Sequence, residues 1–204
     1  MDERTRALLD VSSSLARGIR GEWPDVLRRA SRVAPAAEIE ECVLQSYLFL
    51  GYPTTLQALT AWRDLVPEAA SVEGVTTLKA WHARGEAVCA TVYGGQYQRL
   101  RENVLRLHPD LEHWMLTEGY GKVLARPGLD LKTRELCIVA LLSAQDSPHQ
   151  LYSHLRGALN AGATNAEVEE AVMVLAGALP RERAQQTRAV WNEVKAKRTA
   201  GEED

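Results

Sequence analysis

The chain has 204 residues, 46% of them hydrophobic and 25% charged, and a formal net charge of −3. These values suit a packed soluble core in one large domain or two small ones, and the abundance of Ala and Leu leans toward helix. The faint acidic balance, with no long basic run, excludes a nucleic-acid surface. The opening stretch MDERTRALLD is charged at once and lacks the apolar centre of a signal peptide, and no apolar run approaches the roughly 20 residues that a bilayer span needs. A cytoplasmic protein that does not enter membranes is the expectation.

Taken in chain order, the pattern is helical throughout. TRALL (5–9) lies in a first helix, and AEIEECV (37–43) in another. YLFLGYPTTLQAL (47–59) reads as two helices broken at GYP (51–53). The middle of the chain carries helix patterns near 76–92, 96–107 and 110–124, punctuated by Gly94, Gly95, Pro109 and Gly119. KTRELCIVALLSAQ (132–145) is almost wholly apolar after Glu135. It is too long for a typical strand and suits a helix buried on most sides. Ser147 then offers an N-cap, Pro148 takes the first helical position, and Gln150 falls where it completes a capping box with Ser147. That helix is expected to run to about Ala161 and stop at Gly162. TNAE (164–167) is a second capping box and opens a helix to about Leu179; Pro180 starts the last one. No segment alternates with period two, so the fold class is all-α.

The chain also resembles itself. AEIEECV (37–43) matches AEVEEAV (166–172), AWRDLV (61–66) matches VWNEVK (190–195), and TRALL (5–9) pairs with TRELC (133–137) at nearly the same offset. Self-similarity of this kind marks a duplicated structural unit. The expected organisation is a degenerate repeat over 1–70, a central helical segment over 71–125, and a second repeat over 126–204.

Chemistry concentrates in SPHQLYSH (147–154). Steps of three and four residues stay on one helix face, so Ser147, Gln150, Leu151 and His154 form a stripe. Glu135 stands in the first turn of the preceding helix. Two antiparallel helices joined by a short turn can bring its carboxylate beside His154, where it would orient the imidazole for general acid or base work. Arg134, Arg156 and Arg126 are candidates to hold a substrate carboxylate through parallel hydrogen bonds. Each residue also has an ordinary role: capping for Ser147 and Gln150, the helix dipole for Glu135, core packing for His154, surface ion pairs for the arginines. His82, His108, His113 and His149 read as exposed. Cys42, Cys89 and Cys137 are odd in number and far apart in sequence, without a CxxC; buried thiols are expected, with neither disulfide nor metal site.

RPGLDLKTRELCIVALLSAQDSPHQLYSHLRGALNAGATNAEVEEAV (126–172) resembles the signature region of the carboxymuconolactone decarboxylase family, through RPGL, TR, HLRGALNAG and the T-x-x-E helix start. HPDLEHWMLTEGYGKVLARPGL fits the approach to that signature, and YLFLGYPTTLQAL the stretch that follows it. The resemblance implies the all-helical fold shared with AhpD-type alkylhydroperoxidases. In those relatives a glutamate is followed by a CxxC at a helix start and then a histidine. The glutamate falls on Glu135 and the histidine on His154, but the cysteines fall on Ser147 and Gln150. A hydroxyl and an amide cannot cycle as a dithiol, which argues against peroxide reduction. The decarboxylase branch implies loss of CO₂ from a carboxylate-bearing lactone without metal or organic cofactor. There His154 would move the proton and Arg134 or Arg156 would anchor the carboxylate, while Glu135 departs from that branch's small residue. The first repeat has Ala7, Gly18, Gly21 and Asp25 where the second has Glu135, Ser147, Gln150 and His154, so one such site per chain is expected.

Three readings follow: a cofactor-free acid–base enzyme of carboxy-lyase type on a small carboxylate or lactone, a redox protein of the AhpD kind using other thiols, or a non-catalytic scaffold. The family resemblance further implies self-association, as dimers or trimers.

Overall fold

A computed structural model describes residues 1–68 and 76–200. Among these residues there is no strand. The helices are α1 (Glu3–Arg17), α2 (Trp23–Ala30), α3 (Ala36–Gln45), α4 (Tyr47–Leu65), α5 (Leu78–Tyr93), α6 (Tyr97–Leu107), α7 (Pro109–Trp114), α8 (Leu131–Gln145), α9 (Pro148–Asn160), α10 (Asn165–Ala178) and α11 (Arg181–Ala200). None is long and apolar enough to cross a membrane. The expected boundary between residues 70 and 71 lies outside the described residues, as does the end of the chain at 201–204.

The apolar run after Glu135 decides the architecture. Every residue of α8 from Thr133 to Ser143 is buried, which a helix without a polar face requires. It packs against α1, α9, α10 and α11. Leu136, Ile138 and Leu141 are essentially inaccessible, each contributing about 1.5–3 kcal/mol on burial. Asp130 caps α8 by accepting from the Thr133 backbone N–H at 2.9 Å. Its far end turns on Asp146, whose φ of 60° is left-handed, a conformation that Asp tolerates better than most residues. The Asp146 carboxylate accepts from Gln186 Nε2 at 2.9 Å and pairs with Arg183, which holds that turn to α11.

GYP breaks the helix as expected: within Tyr47–Leu65 the backbone leaves helical geometry at Gly51 (φ 74°, ψ 166°), so α4 is two helical pieces set across a kink. Other sequence readings change in the structure. The helix expected over 110–124 starts as α7 and then widens into a π-helical stretch, Met115–Leu124. This stretch lies against α5 at unusual closeness. A Cβ on Gly85 would stand 1.9 Å from the Leu116 carbonyl oxygen, and one on Gly121 2.0 Å from that of Trp81. Only glycine at both positions lets the two backbones meet. The second capping box is made: Thr164 and Glu167 bond reciprocally at the start of α10. The first is not. Ser147 makes no side-chain cap bond to α9, because its ψ of 66° departs from the extended geometry that N-caps adopt.

A set of contacts recurs along the chain, at an offset of 128 residues in α1 and α8 and of 129 further on. Asp2 accepts from Thr5 N–H as Asp130 does from Thr133 N–H. Gly18 closes α1 in the left-handed conformation, as Asp146 closes α8. Trp62 Nε1 donates to Glu40 at 2.9 Å, and Trp191 Nε1 to Glu169 at 2.6 Å. Arg4 pairs with Glu38 and Lys132 with Glu167; Arg134 pairs with Glu41 and Arg6 with Glu170.

Candidate active site

The turn between α8 and α9 folds these helices antiparallel, and the first turn of α8 faces the second turn of α9. His154 Nδ1 lies 2.8 Å from Glu135 Oε2. Facing an ionised carboxylate, which only accepts, Nδ1 would be the donor of this contact and Nε2 would be left to exchange a proton. Glu135 is fully buried and His154 is 5% exposed. The Phe49 ring meets the imidazole edge-on, 6.1 Å between centroids. Gln145 Nε2 donates to the Phe49 carbonyl at 2.9 Å, fixing the start of α4 to the end of α8. Oε1 of Glu135 is buried without a hydrogen bond.

Gly157 makes this pairing possible. A Cβ there would stand 2.6 Å from Glu135 Oε2 and 2.7 Å from Val92 Cγ1. The carboxylate therefore sits in the notch that the missing methyl leaves on α9. Around it lie three groups kept neutral. Burial, joined by the Glu135 charge, pushes the Cys89 thiol up to about 12. Burial likewise raises the Tyr93 phenol to about 12 and Tyr120 well above its ordinary range, with Glu135 contributing to both. The two tyrosine rings meet edge-on at 6.2 Å. Sequence reasoning did not single out Gly157, Tyr93 or Tyr120, and read Cys89 only as a buried thiol. Only the "RG" in HLRGALN hinted at one of them, because glycine inside a helix costs about 1 kcal/mol and usually has a packing reason.

The remaining site candidates part company. Arg134 does not face His154. It is fully buried, and its guanidinium donates to Glu41, Gln45 and the carbonyls of Leu129 and Arg126. A substrate carboxylate cannot reach it, so its expected anchoring role is corrected to a structural one. Arg126 joins the same cluster, bidentate on Glu41 at 2.9 and 3.0 Å. Arg156 lies on the opposite side of α9 from His154, with its guanidinium over the Tyr152 ring at 5.9 Å. Two residues along a helix turn a side chain by about 200°, so the guanidinium expected to anchor a substrate carboxylate points away from the imidazole. Ser147 and Gln150 stand in the first turn of α9, half-buried and exposed respectively. In the first half, Ala7 offers no carboxylate, and Asp25 is exposed and bonded to Arg28 at 2.6 Å.

The three thiols are buried, as expected of them. Cys42 and Cys137 are neighbours nonetheless, with Sγ atoms 3.9 Å apart. Among the described residues no group of His, Cys, Asp and Glu side chains is arranged to hold a metal ion.

The helical bundle and its acid–imidazole pair define a class. The profile of the Carboxymuconolactone decarboxylase family matches residues 109–193, from α7 into α11. "Peroxisomal protein 2" of Schizosaccharomyces pombe is 32% identical over 139 residues, covering 66% of this chain and 65% of that protein. The 4-carboxymuconolactone decarboxylase of Acinetobacter baylyi is 31% identical over 93 residues, 45% of this chain and 69% of the relative. Nitrosuccinic acid decarboxylase of Metarhizium robertsii is 39% identical over 95 residues, 44% and 63% of the two chains. The chain thus spans about two-thirds of the length of the curated relatives it matches. It belongs to the carboxymuconolactone decarboxylase family, with the all-α, AhpD-like fold of that family.

Proposed function

We propose that the chain is an acid–base enzyme of carboxy-lyase type that acts, without a cofactor, on a small carboxylate or lactone. The observation that carries this reading is the 2.8 Å contact between buried Glu135 and His154. In such a reaction the bond to the carboxylate carbon breaks, its electron pair passes into an adjacent carbonyl or lactone, CO₂ leaves, and a proton is delivered to carbon. His154 Nε2 takes up a proton from solvent and passes it to that carbon, while Glu135 holds the ring through Nδ1. The unpaired Oε1 of Glu135 adds weight. A buried polar oxygen without a partner is costly, and in native proteins such a group calls for an explanation, a catalytic role among them. The decarboxylase names of two relatives agree with this chemistry. With Arg134 and Arg156 turned away, the substrate contacts fall to Ser147 and Gln150 in the first turn of α9.

The AhpD-like redox reading loses ground. Peroxide reduction needs a thiolate, and burial holds the Cys89 thiol near Glu135 at about 12. The scaffold reading draws on the 5% exposure of His154, which narrows any approach of substrate. Loss of ultraviolet absorbance from 4-carboxymuconolactone, and release of CO₂ from a panel of β-keto acids, would separate the two. His154→Ala is expected to abolish turnover with the helical circular dichroism unchanged, and Glu135→Gln to lower kcat by about 10²–10⁴-fold. Turnover that survives His154→Ala, or a wild-type chain inert on every member of the panel, rejects the enzyme reading.

We also infer that α1–α4 and α8–α11 are two copies of one unit, over 1–70 and 126–204, with 71–125 between them. The recurring caps, Trp–Glu bonds and crossed Arg–Glu pairs support this. We keep dimers or trimers of the chain and a cytoplasmic location as parts of the same proposal.

A further inference from the structure

The face of α9 opposite His154 borders a separate cavity of about 570 Å³ between α5, α6, α9 and α11. Neither His154 nor Glu135 lines it. Its lining mixes the apolar side chains of Val92, Tyr93, Leu100, Pro148, Tyr152 and Val190 with polar ones, among them Arg99, Arg156 and Lys197 from three different helices. Among the described residues the acidic side chain on it is Glu193, which pairs with Lys197 at 3.2 Å. Among the described residues the lining thus carries three cations and one anion, and neither Arg99 nor Arg156 meets a carboxylate. Arg156 is instead held over one face of the Tyr152 ring at 5.9 Å, while Lys197 lies 5.0 Å from the same ring. The guanidinium is thus oriented by an aromatic contact while its N–H donors are not taken up by an acid.

We propose that this cavity is a second ligand site, distinct from the Glu135–His154 pair, for a small organic anion with a flat apolar body and two or more carboxylates. The apolar side chains take the body. Arg156 supplies bidentate N–H donors to one carboxylate, and Arg99 and Lys197 supply charge to another. A ligand of this size suits the volume of a small-molecule pocket, which falls in the range of about 300–1,000 Å³.

Calorimetric titration of the full chain with benzene-1,2,4-tricarboxylate at low salt tests the proposal, with citrate as an anion of similar charge that lacks the flat body. The wild type is expected to bind the aromatic acid saturably, more tightly than citrate, and less tightly as salt is raised. The double variant Arg156→Met, Lys197→Met is expected to weaken binding about tenfold or more. Glu193→Gln, which removes the carboxylate that pairs with Lys197, should act in the opposite direction and tighten it. His154→Ala should leave binding unchanged, so this site and the proposed catalytic pair stand or fall separately. No saturable binding by the wild type, or equal affinity in wild type and the double variant, overturns the proposal. So does failure of Glu193→Gln to tighten binding.

Discussion

Gly157 shows how a single absent methyl group sets chemistry. Glycine in a helix interior is destabilising by roughly 0.5–1 kcal/mol relative to alanine, and at Gly177, where a new Cβ would meet nothing within 4 Å, that gain should be recovered. Gly177→Ala is therefore expected to raise the thermal midpoint. At position 157 the same change drives a methyl to 2.6 Å from the Glu135 carboxylate. Overpacking of this kind costs about 1–3 kcal/mol, so Gly157→Ala should lower the midpoint and displace Glu135 from Nδ1. The distinguishing readout is the imidazole itself. Long-range nitrogen–proton NMR should show His154 leaving its single Nδ1–H tautomer in Gly157→Ala and keeping it in Gly177→Ala. Equal stability and identical His154 signals in the two variants would remove Gly157 from the account of the site. SPHQLYSH placed the imidazole one helical turn below Gln150 and two below Ser147, and those two residues do stand at the start of α9. The notch that receives the carboxylate was not legible, because it depends on Val92 from another helix.

Single elements carry their own pH response. The capping box of α10 holds Glu167, which also accepts from Lys132 Nζ at 2.8 Å. The Lys132 hydrogen bond, followed by the Thr164 backbone N–H, lowers the Glu167 carboxyl from 4.5 to about 2. A carboxylate depressed in the folded state stabilises it above the unfolded pKa, and that contribution is lost as pH falls through the folded value. Glu167 should therefore cost the fold stability between about 4.5 and about 2. The urea midpoint of Glu167→Gln should change less over that interval than that of the wild type, and parallel curves would refute the assignment. TNAE displayed this box in full because its partners lie three residues apart. The Ser147–Gln150 box had equal local credentials and is not made. The positive φ of Asp146 and the bonds from Gln186 and Arg183 set the chain entering α9, and those bonds come from a helix far along the sequence.

Across the whole molecule, two ion pairs between segments distant in the chain stand in unlike surroundings. Arg134 and Glu41 lie 2.8 Å apart with the arginine side chain fully buried, whereas the Arg6 side chain that meets Glu170 is 46% exposed. Removing one partner of a buried pair leaves an uncompensated charge and costs about 3–5 kcal/mol. An exposed pair contributes about 0–1 kcal/mol. Glu41→Gln is expected to destabilise the chain severely in denaturant unfolding, and Glu170→Gln barely. Comparable losses for both would contradict the difference in burial on which this contrast rests.

The all-α class, the central helix α8, the family and the nearness of Glu135 to His154 were within reach of the sequence alone. Each rests on local pattern: an unbroken apolar run, helix periodicity, a short turn between two helices, a signature of consecutive residues. The destinations of the arginines were decided only by tertiary structure. Arg134 follows from α3 arriving with Glu41, Arg156 from α5, α6 and α11 closing a cavity on the far face of α9. A guanidinium goes where a carboxylate or an aromatic ring awaits it, and those partners are set by packing between segments distant in the chain.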